Sequence, residues 1–109
     1  MARQTFKQRR GGGRLMMHVG VLEIYLDLGS LRSLKEKRGI IKGLLQKIRL
    51  RFEVAAAEVA EQNSIRSSGL GFSAVGNDAA VLQSRLRKIV NFIEVDGRAV
   101  IGDFRVEIL

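Results

Sequence analysis

The chain has 109 residues, 46% of them apolar, which suffices for one compact domain with a real core. It contains no cysteine, which excludes disulfides, thiolate nucleophiles and thiolate metal sites and suits the reducing cytoplasm, the expected location. The formal charge of +8 favours polyanionic partners such as RNA, while no apolar run reaches the roughly 20 residues of a membrane span and the first residues lack the apolar stretch of a secretory signal, so export is not expected.

The charge is uneven. Arg3, Lys7, Arg9, Arg10 and Arg14, with no acidic residue among them, supply five of the eight net positive charges before Met16 is reached. With Gly11, Gly12 and Gly13 and almost nothing apolar, residues 1–16 are expected to form a disordered basic tail, because burial there cannot offset the entropy of ordering. Two readings stay open for it: a basic arm for nucleic acid, or a segment ahead of a true start at Met16 or Met17.

A single domain is expected over 17–109. Its first strand, about Met17 to Leu28, alternates Leu22, Ile24 and Leu26 with Val21, Glu23, Tyr25 and Asp27, which describes one buried face. Ser33-Leu34-Lys35-Glu36 reads as a capping box opening a helix to about Arg51, with Leu34, Ile41, Leu44, Leu45, Ile48 and Phe52 at three- and four-residue steps. Glu53 to Glu61 alternates weakly and reads as a second strand, followed by a polar loop over 62–68. Leu70, Phe72 and Ala74 then mark a third strand. Asn77 or Asp78 can cap a second helix carrying Leu82, Leu86, Ile89, Val90 and Ile93, and Asp96-Gly97 makes its exit turn. The last strand, about Ala99 to Leu109, sends Phe104, Val106 and Ile108 inward and Asp103, Arg105 and Glu107 outward, so Phe104, like Phe72, is expected in the core.

Strand, helix, strand, strand, helix, strand, with right-handed crossovers, gives an α+β sandwich: a ferredoxin-like βαββαβ fold with a four-stranded antiparallel sheet and two helices on one face.

Gly20-Val21-Leu22-Glu23, Ser33-Leu34-Lys35-Glu36-Lys37-Arg38, Ala57-Glu58-Val59, Gln62, Leu70-Gly71 and Asn77-Asp78 together resemble the YlxP-like (DUF503) family of small bacterial proteins of unknown function. The hexapeptide from Ser33 to Arg38 is the specific part. The resemblance spans Met17 to Leu109 without a gap and implies a ferredoxin-like fold. Through the family's gene neighbourhood it also implies a link to translation initiation and ribosome maturation, with the small ribosomal subunit as a candidate partner. Two departures stand out: Asn63 and Ile65 occupy the loop positions where the family pattern carries an aspartate and a tryptophan, and the basic tail lies outside the resemblance.

On a helical wheel Lys35, Arg38, Lys42 and Arg49 share one narrow sector beside the apolar stripe of the first helix, and Arg85 and Lys88 flank the second. Glu36 is the one acidic residue within that helix, so the set is expected to form a phosphate-binding surface, recognising RNA through its backbone. Base stacking on the sheet is not expected: Tyr25 is the one outward aromatic on the first strand, and the third offers Gly71, Ser73 and Val75. The open sheet face instead reads as apolar through Val19, Val21, Tyr25, Ala55, Ala57, Val59, Val75 and Ile101, which suits a homodimer or another protein partner, with Val21, Tyr25, Ala57 and Val59 as the interface. No enzyme, cofactor or metal is expected. His18 lacks a second ligand, Glu58 reads as a structural hydrogen-bonding group at a strand end, and Gly69-Leu70-Gly71 lacks the Lys-Ser or Lys-Thr of a phosphate loop.

Overall fold

The computed structural model describes residues 16–109, so the readings made of the tail lie outside the described residues. The elements follow the expected order: β1 (His18–Asp27), α1 (Leu34–Phe52), β2 (Ala55–Ala60), β3 (Ser67–Gly76), α2 (Ala79–Asp96) and β4 (Val100–Ile108). The strands form one antiparallel sheet in the order β2-β3-β1-β4, with β2 and β4 at its edges. Both helices cover the same face, whose core is built from Leu22, Ile24 and Leu26 of β1, Leu70 and Phe72 of β3, Ile41, Leu44 and Ile48 of α1, and Leu82, Leu86, Ile89 and Ile93 of α2. Each such side chain contributes about 1.5–3 kcal/mol by leaving water.

The caps follow the local chemistry. Ser33 Oγ accepts from the Glu36 amide at 3.1 Å, but the Glu36 carboxylate reaches the amide of Arg32 rather than that of Ser33, so the return bond of the capping box closes one residue early. Asp78, not Asn77, caps α2 by accepting from the Val81 amide. Gly97 ends α2 in the left-handed region, and Arg98 donates twice across that turn to the Asp96 carboxylate, at 2.8 and 3.1 Å.

Three expectations need correction. β3 begins at Ser67, inside the segment read as loop, because Ser67 and Ser68 pair with Asp27 and Leu26 of β1. On β4, an extra residue at Gly102 bulges the ladder between the Leu26–Ile101 and Tyr25–Asp103 pairs. Ile101 is thereby turned inward with Leu26, so it does not belong to the open face. Phe104 does pair with Ile24 on the inner side, but it stands on an edge strand beyond full helix cover and remains 40% exposed, so it is not a core residue. A second bulge at Val59 separates the Glu58–Leu70 and Ala60–Gly69 pairs.

α2 sits close to the sheet because Gly20 of β1 has no side chain; a Cβ there would lie 2.7 Å from Leu86 Cδ1.

Candidate nucleic-acid interface

Lys35, Arg38 and Lys42 are all exposed, lie within roughly 60° of one another around α1, and make no ion pair among the described residues. Glu36, the acid closest in sequence, is turned back onto the Arg32 amide. Adjacent like charges at three- and four-residue spacing weaken an isolated helix by about 0.2–0.5 kcal/mol per pair, and here both the Lys35–Arg38 and the Arg38–Lys42 pairs stand without local neutralisation. Arg49 shares the sector but is engaged: its Nη2 donates to the Ala56 carbonyl of edge strand β2 at 2.6 Å. That bond shows where the sector lies, along the flank of α1 above β2 and away from α2.

Arg85 and Lys88 are therefore not part of the same surface. They stand on the flank of α2 that meets the C-terminal end of α1, where they join Arg51, a residue the sequence reading passed over. Arg51 lies 5.8 Å from the centroid of Phe52 and 5.5 Å from that of Phe92, two rings that meet edge to face at 5.7 Å. The structure thus divides the six predicted cations into an open row of three (Lys35, Arg38, Lys42), one tethered side chain (Arg49), and a pair in a separate groove (Arg85, Lys88).

One more cation was hidden in the pattern. Lys37 is fully buried, its Nζ 3.1 Å from Glu58 Oε2 and also donating to the Glu61 carbonyl. Glu58 accepts in addition from the buried Ser68 hydroxyl, so the structural role expected of it holds, with a lysine as its second partner. The signal was available: at 100° per residue Lys37 falls inside the stripe formed by Ile41, Leu44 and Ile48. The ammonium ties α1 to the β2–β3 connection at Glu61, a non-glycine residue held at φ 61°, and so fixes the cationic flank of α1 relative to the sheet.

The open face of the sheet carries Val21, Tyr25, Ala57 and Val59 as expected, with Tyr25 51% and Val59 56% exposed. Its floor is β3, where Gly69 and Gly71 leave room for Ala60 and Val59 to lie across the strand; a Cβ on Gly71 would meet Val59 Cγ1 at 3.1 Å. A shallow depression of about 590 Å³ results, bordered by Val21, Glu23, Ala57 and Val59. Toward β4 the face turns charged, with Arg105 between Glu23 and Glu107.

No group of three or more His, Cys, Asp or Glu side chains capable of holding a metal occurs among the described residues, and none of their helices is long and apolar enough to cross a membrane.

Two helices on one face of a β2-β3-β1-β4 antiparallel sheet define a ferredoxin-like α+β domain, here with a cationic flank on its first helix. Residues 19–106 match the family described as protein of unknown function (DUF503), and the chain belongs to that family. It is 26% identical over 76 residues to the uncharacterized protein YlxP of Bacillus subtilis (strain 168), an alignment covering 70% of this chain and 83% of that one. Among solved structures it is similar to AtUAH in complex with glyoxylate, at 12% identity and a TM-score of 0.47. That alignment covers 83% of this chain but 27% of the AtUAH chain, so the chain spans about a quarter of that protein's length. It is also similar to the structural-genomics protein YJCS, at 10% identity and a TM-score of 0.44, covering 82% of this chain and 96% of that one.

Proposed function

We propose that this protein is a non-catalytic RNA-associated domain that grips the sugar-phosphate backbone through Lys35, Arg38 and Lys42, in keeping with the ribosome-assembly link that the family resemblance implies. The observation carrying this reading is the row itself: three exposed cations on one helix flank, unpaired among the described residues, on a helix held rigidly to the sheet by Lys37. Such a row neutralises phosphates and releases counterions, which gives affinity with little sequence preference. The β1 and β3 positions of the open face carry Tyr25 as their one aromatic, so bases have no stacking platform there and the backbone is the feature left to bind.

The test is fluorescence anisotropy with a double-stranded RNA of about 16 base pairs, the length that a shape-reading domain spans. Three phosphate contacts, at about 0.7 to 0.9 each, correspond to a log–log salt slope of about −2.1 to −2.7, or roughly 20- to 40-fold weaker binding between about 50 and 200 mM salt. A chain beginning at Met17 should keep this affinity, and Arg38→Glu with Lys42→Glu should abolish the salt-dependent part. Equal affinity in that double variant rejects the surface.

A second reading uses the other side of the molecule, where Tyr25, Val59 and Val75 are each more than half exposed around the glycine floor. A second copy fits this face: the cations of α1 lie on the opposite side of the sheet, and Glu23, Arg105 and Glu107 alternate in sign, so two-fold packing brings no large like-charged patches together. Sedimentation equilibrium decides it, a dimer mass supporting the face and a monomer at high concentration removing it.

A further inference from the structure

The groove beside α2 belongs neither to the α1 row nor to the open sheet. Two depressions, of about 720 and 370 Å³, share Arg51, Phe52 and Lys88 and together follow one flank of α2 from Ala80 to Val95. Along that flank Val81, Arg85, Lys88, Phe92 and Val95 recur at steps of four, three, four and three, the spacing of a helix seam, yet the element crossing it is the short C-terminal end of α1. The stripe has a definite order. Val81 and Val95 stand 59% and 80% exposed at its two ends, and the cations Arg85 and Lys88 lie between them, joined from the α1 side by Arg51. Glu53 is the one acidic side chain in the lining, and it sits at the end near Val81.

We infer that this groove is a docking site for an acidic amphipathic helix of another protein, about 14 residues long, with apolar side chains at its two ends and carboxylates at its centre. The length follows from the stripe: Val81 to Val95 spans about 21 Å at 1.5 Å per residue. The charge order follows from the three cations at mid-groove, which a bound helix must neutralise as it covers them. The rings of Phe52 and Phe92 and the two valines distinguish this occupant from RNA. A phosphate backbone satisfies the cations but leaves the apolar walls in water, whereas an amphipathic helix covers both. Arg51, whose guanidinium already lies 5.8 and 5.5 Å from the centroids of the two rings, is pre-positioned to receive a carboxylate without losing much rotamer freedom.

The experiment is selection of a displayed library of random 14-residue peptides on the full chain, followed by anisotropy and amide chemical-shift mapping with the enriched peptides. The expected result is enrichment of sequences carrying paired Asp or Glu between apolar residues, with shifts concentrated over residues 80–95 and at Arg51 and Phe52. Arg85→Glu with Lys88→Glu should weaken these peptides at least tenfold, and so should Val81→Asp, which leaves the cations in place. Arg66→Glu, an exposed charge reversal outside the groove, should leave affinity within twofold. The shift map of each folded variant is compared with that of the parent, so that unfolding is not mistaken for lost binding. Failure to enrich any peptide, enrichment of sequences without acidic residues, or shifts confined to α1 or the open sheet would overturn the proposal. So would a short RNA that moves the residue 80–95 amides where the peptides do not.

Discussion

Replacing Lys37 by methionine keeps most of the unbranched stem in its slot between α1 and the sheet but removes the ammonium. The loss falls on two groups: Glu58, whose side chain is 17% exposed, and the Glu61 carbonyl, both of which accept from Nζ. Breaking a buried ion pair from one side costs about 3–5 kcal/mol, and the partial exposure of Glu58 puts this case near 3. For a domain of this size each kcal/mol lowers Tm by about 4–8 °C, so the variant should melt roughly 15 °C below the parent. Glu58→Gln should cost less than Lys37→Met, because Ser68 can still donate to the side-chain oxygen and Lys37 can still donate to Glu61. Urea unfolding of both single variants and the double variant gives the coupling energy, expected at about 1–3 kcal/mol. A cost under about 1 kcal/mol for Lys37→Met, or a coupling below about 0.5 kcal/mol, would show that the ammonium is solvated, and the account of how α1 is fixed would fall.

Asp96 carries a smaller, pH-dependent contribution. The Arg98 side chain, bonded bidentately to it, holds its carboxyl below the usual 3.8, so stability from this pair is present above that value and fades as the pH falls through the lower folded value. Because Arg98 is 38% exposed, solvent screening limits the effect to about 0.5 kcal/mol; Asp96→Asn should lower stability by that amount at pH 7 and by almost nothing near pH 2, as urea titrations at the two values would reveal. On the open sheet, Val59→Lys should drive any dimer to monomer in the ultracentrifuge while leaving RNA affinity no weaker; a dimer that persists in this variant refutes the sheet face as the interface.

The element order was legible because its signals are local: Ser33 and Asp78 as caps, Gly97 as a stop, and period-2 alternation through β1. Lys37 was legible by position but concealed by type, since a lysine inside an apolar stripe reads as an exposed interruption until a carboxylate from a distant strand is placed beside it. The two bulges left no compositional mark beyond Gly102, and each puts the residues on its two sides out of phase; an alternation that is right from Phe104 onward therefore placed Ile101, ahead of the bulge, on the wrong side. Phe104 was given the correct side but not its exposure, because a residue's parity says nothing about whether its strand lies at the rim of the sheet. The grouping of Arg85 and Lys88 with the α1 row failed for a related reason. A wheel orders charges around one helix, but which flank faces its neighbour is decided by tertiary packing, here disclosed by the bond from Arg49 to Ala56.

That same bond bears on self-association. β2 is a sheet margin of six residues, four of them alanine, the kind of unfinished ladder that invites another chain to zip alongside. Arg49 occupies one of its carbonyls, and the kink at Val59 breaks its straightness, while at the opposite margin β4 is kinked at Gly102 and lined with Asp103, Arg105 and Glu107. Lateral growth into fibres is thus discouraged at both borders, and copies of this protein that come together are steered toward stacking rather than lengthening the sheet.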